Sequence, residues 1–249
     1  RDAQETQTDD RRVTFYRNNT IEETVEGRLL EFEQTLGRPL TLPVPIDQYG
    51  ELVLGLDLLW DEIDELPGEL ILGGILPKRR LVVLNDRRRA YMDQKPGLER
   101  STKGHEFGHW DLFVDRATLN HPALFDEEGD GPFAFRSSPS GEVAVIRRLE
   151  SSEEGRALLK KIQARADEAD EARTVNRYAA CVSMPRALVR EEAGKIDRTK
   201  WPNLYDLAER FDVTISALVV RLKQLNLLYI KDKELFESRD HAIGQHSLF

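Results

Sequence analysis

Two histidines stand four residues apart around a glutamate in His105-Glu106-Phe107-Gly108-His109. On an α-helix that spacing stacks both imidazoles on one face, one turn apart, within reach of a single cation. Zinc accepts such a set: two imidazoles, a carboxylate and an open fourth position. A cation held there acidifies a water, and a glutamate next to the first histidine is the residue type that takes its proton as the water attacks a peptide carbonyl. His105 and His109 are therefore candidate metal ligands and Glu106 a candidate general base. Zinc is the expected ion and manganese the alternative, because two imidazoles and a carboxylate hold several divalent ions. The bland alternative is a surface helix with two unrelated histidines. With only five His in 249 residues, this spacing around a glutamate is not what chance would supply.

Such a helix needs elements that hold it. Thr20 and Glu23 form a capping box, and Ile21, Val25, Leu29, Phe32 and Leu36 follow at helical spacing up to Gly37. Leu52–Leu56, Leu70–Leu76 and Leu81–Leu84 read as three strands of a small antiparallel sheet just before the His105 helix. An edge of that sheet is suited to hold an extended peptide by strand addition. The arginines at 87, 88 and 89 read as a solvated loop face. Residues 116–150 carry turn signals and a candidate hairpin, and would serve as a lid; His121 within them is a possible auxiliary residue. A long helical pattern returns over 151–182. Its acidic run, Asp167-Glu168-Ala169-Asp170-Glu171, is where a third metal ligand is sought.

Composition narrows the classes. The net charge of −9 argues against a general nucleic-acid binder. No run of about 18 apolar residues exists, so no membrane partner is expected. A single cysteine, Cys181, cannot form an internal disulfide, and no leader-like segment is visible at the start; a cytoplasmic setting is the expectation. The expected division is a disordered tail over 1–12, a main domain over 13–195, a helical module over 196–232 and a C-terminal tail over 233–249.

Three stretches carry a family resemblance. Gly104-His105-Glu106-Phe107-Gly108-His109 is similar to the signature of the ImmA/IrrE metallo-endopeptidases. Asn176-Arg177-Tyr178-Ala179-Ala180 with Met184-Pro185 resembles that family's second signature. Leu207–Thr214, followed by Arg221–Leu225, resembles its helix-turn-helix-like segment. The resemblance implies an α+β, zincin-like metallopeptidase fold, a zinc-dependent hydrolase with Glu106 as base, and a cytoplasmic protein substrate. That substrate would be a helix-turn-helix transcriptional repressor, cut to switch on stress or mobile-element genes. It also implies a third metal ligand four residues before Asn176, where this chain has Ala172. Glu171 is one residue earlier, about 100° around a helix, and is the first candidate. Glu168 follows, one turn away on nearly the same face. Asp115 comes last, because its ten-residue offset from His105 needs a glycine where Leu112 stands.

Tyr178 and His121 are the candidates for stabilising a developing oxyanion. In Trp201–Ile230 the cations Arg210, Arg221 and Lys223 are balanced by Asp206, Glu209 and Asp212. A module that packs on the main domain or grips a partner is thus preferred to one that reads DNA. The alternative function is a weakened or inactive peptidase-fold regulator that binds a repressor or DNA, favoured by Ala172.

Overall fold

The computed structural model describes residues 18–114, 116, 134–137 and 166–242. The expectations placed on the tail over 1–12, on Asp115, on His121 and on the start of the helix at Ser151 lie outside these residues, and Glu168 is described in its backbone only. The fold is α+β. In chain order it comprises α1 (Asn18–Leu36), the short α2 (Ile46–Tyr49) running into a π-helical turn (Gly50–Leu54), β1 (Asp57–Asp61), β2 (Ile71–Leu76), β3 (Leu81–Asn85), the short α3 (Arg89–Asp93) and α4 (Leu98–Phe113). After β4 (Ala134–Ser137) come α5 (Ala166–Ser183), α6 (Arg186–Ala193), α7 (Trp201–Phe211), α8 (Ile215–Gln224), β5 (Tyr229–Lys231), β6 (Glu234–Phe236) and α9 (Arg239–Ala242). Among the described residues no helix is long and apolar enough to cross a membrane.

The apolar stripe of α1 behaves as its spacing predicts: Ile21, Val25, Leu29 and Phe32 are buried, and Gly37 closes the helix at φ 63°, a conformation glycine adopts without a Cβ penalty. The start differs. Thr20 lies inside the helix, which already includes Asn18, so the capping box does not mark its first turn.

The sheet is mixed rather than antiparallel. Its order is β1-β3-β2-β4. β1 runs parallel to β3, and β2 is antiparallel to both β3 and β4. The apolar alternation at 52–56 is not a strand. Residues 50–54 wind as a π-helical turn, ended by Gly55 in the left-handed region, and the strand begins immediately after the expected segment, at Asp57. A short apolar run is ambiguous between helix and strand, and tertiary contacts decide it. Here the Nε1–H of Trp110 donates to the Leu54 carbonyl at 3.1 Å, and Gly50 lies against the Phe107 ring, where a Cβ would come within 2.5 Å of Cζ. Of the three arginines after β3, Arg87 and Arg89 are exposed and Arg88 partly so, as a solvated face requires, and each has a local partner. Arg87 pairs with Glu62 and Asp64, Arg88 with Glu65, and Arg89 lies over the Trp60 ring.

Helix α4 is enclosed by neighbours on several faces, which explains why it is buried over most of its length. Thr102 meets β2 at Gly73, where an added Cβ would be 3.1 Å from its methyl group. Phe107 and Trp110 face the π-helical turn. Gly104 and Gly108 face α5: a Cβ on Gly104 would be 2.9 Å from that of Ala179, and one on Gly108 would be 3.0 Å from Val175. The two helices are antiparallel, since later positions on α4 meet earlier ones on α5. Small residues let the backbones approach closely, and that approach sets their register.

Two apolar cores result. One gathers α1, the π-helical turn, the sheet, α4 and α5. The other runs from Met184 through α6, α7 and α8 to Leu235. This second core begins at Met184. Arg221 of α8 is fully buried and joins the cores. Its Nη1 donates to Glu22 Oε2 at 2.8 Å, Nη2 donates to the other carboxylate oxygen, and Nε donates to the Met184 carbonyl at 3.0 Å. β5 and β6 form a hairpin, and β6 lies within the expected C-terminal tail over 233–249. Asp232 and Lys233 both take positive φ, as a two-residue type I′ turn requires, and Leu235 packs into the second core.

Candidate metal centre

The register of α4 on α5 places a partner against each imidazole of the pentad. His105 Nδ1 lies 3.0 Å from Asn176 Oδ1, and His109 Nδ1 lies 3.0 Å from Glu171 Oε1. Amide and carboxylate oxygens only accept, so each Nδ1 carries the proton and donates it. Each Nε2 is then left with its lone pair. These two Nε2 atoms converge to 3.1 Å, with ring centroids 4.8 Å apart and planes at 67°.

Two lone pairs at that distance repel unless a cation, either a proton or a metal ion, stands between them. Nitrogens bound to a tetrahedral zinc at about 2.0–2.1 Å lie roughly 3.3 Å from each other, close to what the pair already shows. The imidazole pair fits a divalent ion. Among the described residues, no group of three or more His, Cys, Asp and Glu is arranged to cage one; His105 and His109 are the two candidate ligands. His105 and Glu106 are buried, and His109 is partly so. Burial withdraws the pair from bulk water, which strengthens any electrostatic interaction made there.

Glu171, expected as the third metal ligand, meets the other ring nitrogen of His109 instead. Ala172, next to it, is partly buried. Asn176, which the sequence marks only as part of a signature, is the hydrogen-bond partner of His105; an amide five residues after an acidic position on a helix facing the pentad is the signal that could have singled it out.

Tyr178 is not placed as an oxyanion donor. It is fully buried, its hydroxyl donates to Asp111 Oδ2 at 3.0 Å, and it accepts from the Tyr49 hydroxyl at 2.8 Å. Asp111 also holds Arg28 at 2.9 Å and Arg116. Burial, then the neighbouring Tyr49 and the Asp111 carboxylate, push the Tyr178 hydroxyl well above the usual phenol range, so it stays protonated. Its role in this network is structural. Tyr178→Phe should therefore lower unfolding free energy by about 1–3 kcal/mol, the cost of leaving the buried Tyr49 hydroxyl without its acceptor, while zinc content and any hydrolytic rate stay within a factor of about three. Urea denaturation together with a hydrolysis assay checks both halves.

A separate cleft of about 470 Å³ opens at the other end of α4, lined in part by Asp47, Glu99, Arg100, Lys103 and Asp212. None of the candidate metal-centre residues lines it. No protein-family model matches this chain, and no curated protein compared with it does either.

Proposed function

We propose that this chain is a zinc-dependent endopeptidase of zincin-like fold, acting in the cytoplasm on a protein substrate. The observation that carries the proposal is the 3.1 Å convergence of two Nε2 lone pairs, with both Nδ1 atoms engaged; Glu106, next to His105 in the chain, is buried. His105 and His109 would hold the ion. A divalent cation at such a site supplies Lewis acidity, polarising a carbonyl and lowering the pKa of water toward neutrality. Glu106 accepts the proton of the attacking water and returns it to the leaving amine, as a general base and then a general acid. Asn176 and Glu171 keep the two rings in the tautomer that leaves Nε2 unprotonated. The family resemblance adds a substrate class, a helix-turn-helix transcriptional repressor whose cleavage releases stress or mobile-element genes.

α7 and α8 form the helix-turn-helix-like module of this reading. Of the three cations in Trp201–Ile230, Arg221 is buried against Glu22 and Arg210 is paired with Glu192. Little positive charge is left for phosphates, so the module serves packing or partner contact in preference to DNA.

Metal analysis tests the proposal. Wild-type protein dialysed against zinc should retain roughly one ion per chain, and His105→Ala should lose most of it, because a single imidazole is left. An empty wild-type site would instead favour a second reading, a regulator that keeps the fold without the chemistry. The turn of Glu171 toward Nδ1, with alanine at 172, is the specific observation on that side.

A further inference from the structure

Resting on the metal-site proposal, we infer that Glu171 is a positioning residue for His109 and not a ligand to the ion. Its carboxylate lies 3.0 Å from Nδ1 of His109, while the ligating atom of that ring is Nε2, which faces His105. A carboxylate on the non-ligating nitrogen does two things: it selects the tautomer and fixes the ring about its χ2 axis. The antiparallel seating of α5 makes this the natural contact. Gly108 abuts Val175, so the turn of α5 before Val175 lies alongside the turn of α4 that carries His109. Asn176 acts in the same way on His105 one turn earlier in α4, so the two rings are oriented by a matched pair of acceptors, one neutral and one anionic. The anion falls on the less buried histidine: His109 keeps 13% of its side-chain surface exposed and Glu171 37%. Water reaches both acceptors, since Asn176 is exposed as well, and the charge-assisted bond to His109 is the stronger of the two. The pentad's partner at this position is therefore specific to acceptors, and a Gln keeps the function that an Ala loses.

Imidazole ¹⁵N–¹H correlation spectra of the full chain, stripped of metal with a chelator, test this without any reliance on activity. Wild type is expected to show the His109 proton on Nδ1. Glu171→Gln should retain it, since the amide oxygen accepts the same bond, and Glu171→Ala should move it toward Nε2. Zinc competition against a chromophoric chelator should show affinity falling about 10- to 100-fold in Glu171→Ala and less in Glu171→Gln, with backbone amide spectra confirming that both variants fold. The inference is overturned if the His109 tautomer in Glu171→Ala matches wild type, or if both variants lose as much affinity as His109→Ala, which would make Glu171 a direct ligand. A wild-type chain that shows the expected tautomers but takes up no zinc overturns the metal-site proposal instead; the tautomer comparison still decides what Glu171 does to the ring.

Discussion

Glu106→Gln should reduce proteolysis by about 10²- to 10⁴-fold, the contribution typical of a positioned general base, while zinc content stays at the wild-type level. The two results together are diagnostic. Gln is nearly isosteric with Glu, so the buried position keeps its volume and α4 keeps its packing. The lone pairs of His105 and His109 are untouched, because their orienting partners come from α5. What disappears is an oxygen basic enough to take a proton from water. A loss of zinc in the same variant would mean that Glu106 is part of the metal cage. Undiminished hydrolysis of a fluorogenic casein substrate would remove it from the mechanism. A fall in rate with full zinc occupancy is the outcome expected of a general base that is not a ligand.

The second large effect is on stability. Glu22→Ala should destabilise the fold by about 3–5 kcal/mol, because it strands the Arg221 guanidinium in a dry interior. Arg221 is fully buried and donates through two nitrogens to Glu22. Cys181 donates to the same carboxylate at 3.3 Å, and burial pushes that thiol up to about 12, so it remains a neutral donor at neutral pH. Replacing both charges, as in Glu22→Leu with Arg221→Met, should cost much less than the single change, since no uncompensated ion remains. Chemical denaturation of the three variants separates these cases.

The same pair has a pH signature. Burial acts to raise the Glu22 pKa, but the hydrogen bond and charge of Arg221, with help from Cys181 and Arg177, outweigh it and hold the carboxyl below its ordinary value of 4.5. A group whose folded pKa is depressed stabilises the fold at pH values above its unfolded pKa, and that stability is lost as pH falls through the folded pKa. Wild type should therefore lose stability on acidification below about pH 4.5 more steeply than Glu22→Gln, and denaturation midpoints at pH 7 and pH 3 measure the difference.

What was legible before any coordinates were those features governed by short-range repetition. The stripe Ile21, Val25, Leu29 and Phe32 is buried as its period requires. Leu70–Leu76 and Leu81–Leu84 became β2 and β3. His105 and His109 share a helix face because four residues make about one turn. The failures have a common origin in contacts distant along the chain. Apolar alternation at 52–56 lost to the wedge of Phe107 and Trp110 from α4. A parallel partner for β1 depends on where β3 lands after β2 has been placed, which no local pattern encodes. Arg221 looks like a surface cation until Glu22, 199 residues away, is brought to it.

For the candidate metal centre the division is sharpest. Residue order alone determines that two imidazoles and a carboxylate share one turn of helix, since backbone geometry makes that spacing periodic. Only the tertiary structure decides which ring nitrogen each partner on α5 meets. That choice follows from the depth and register at which Gly104 and Gly108 admit the second helix, and a helix rotates each successive side chain by about 100°. Placing an acid on Nδ1 or on the ion is a matter of one residue in that register, and packing between the two helices sets it.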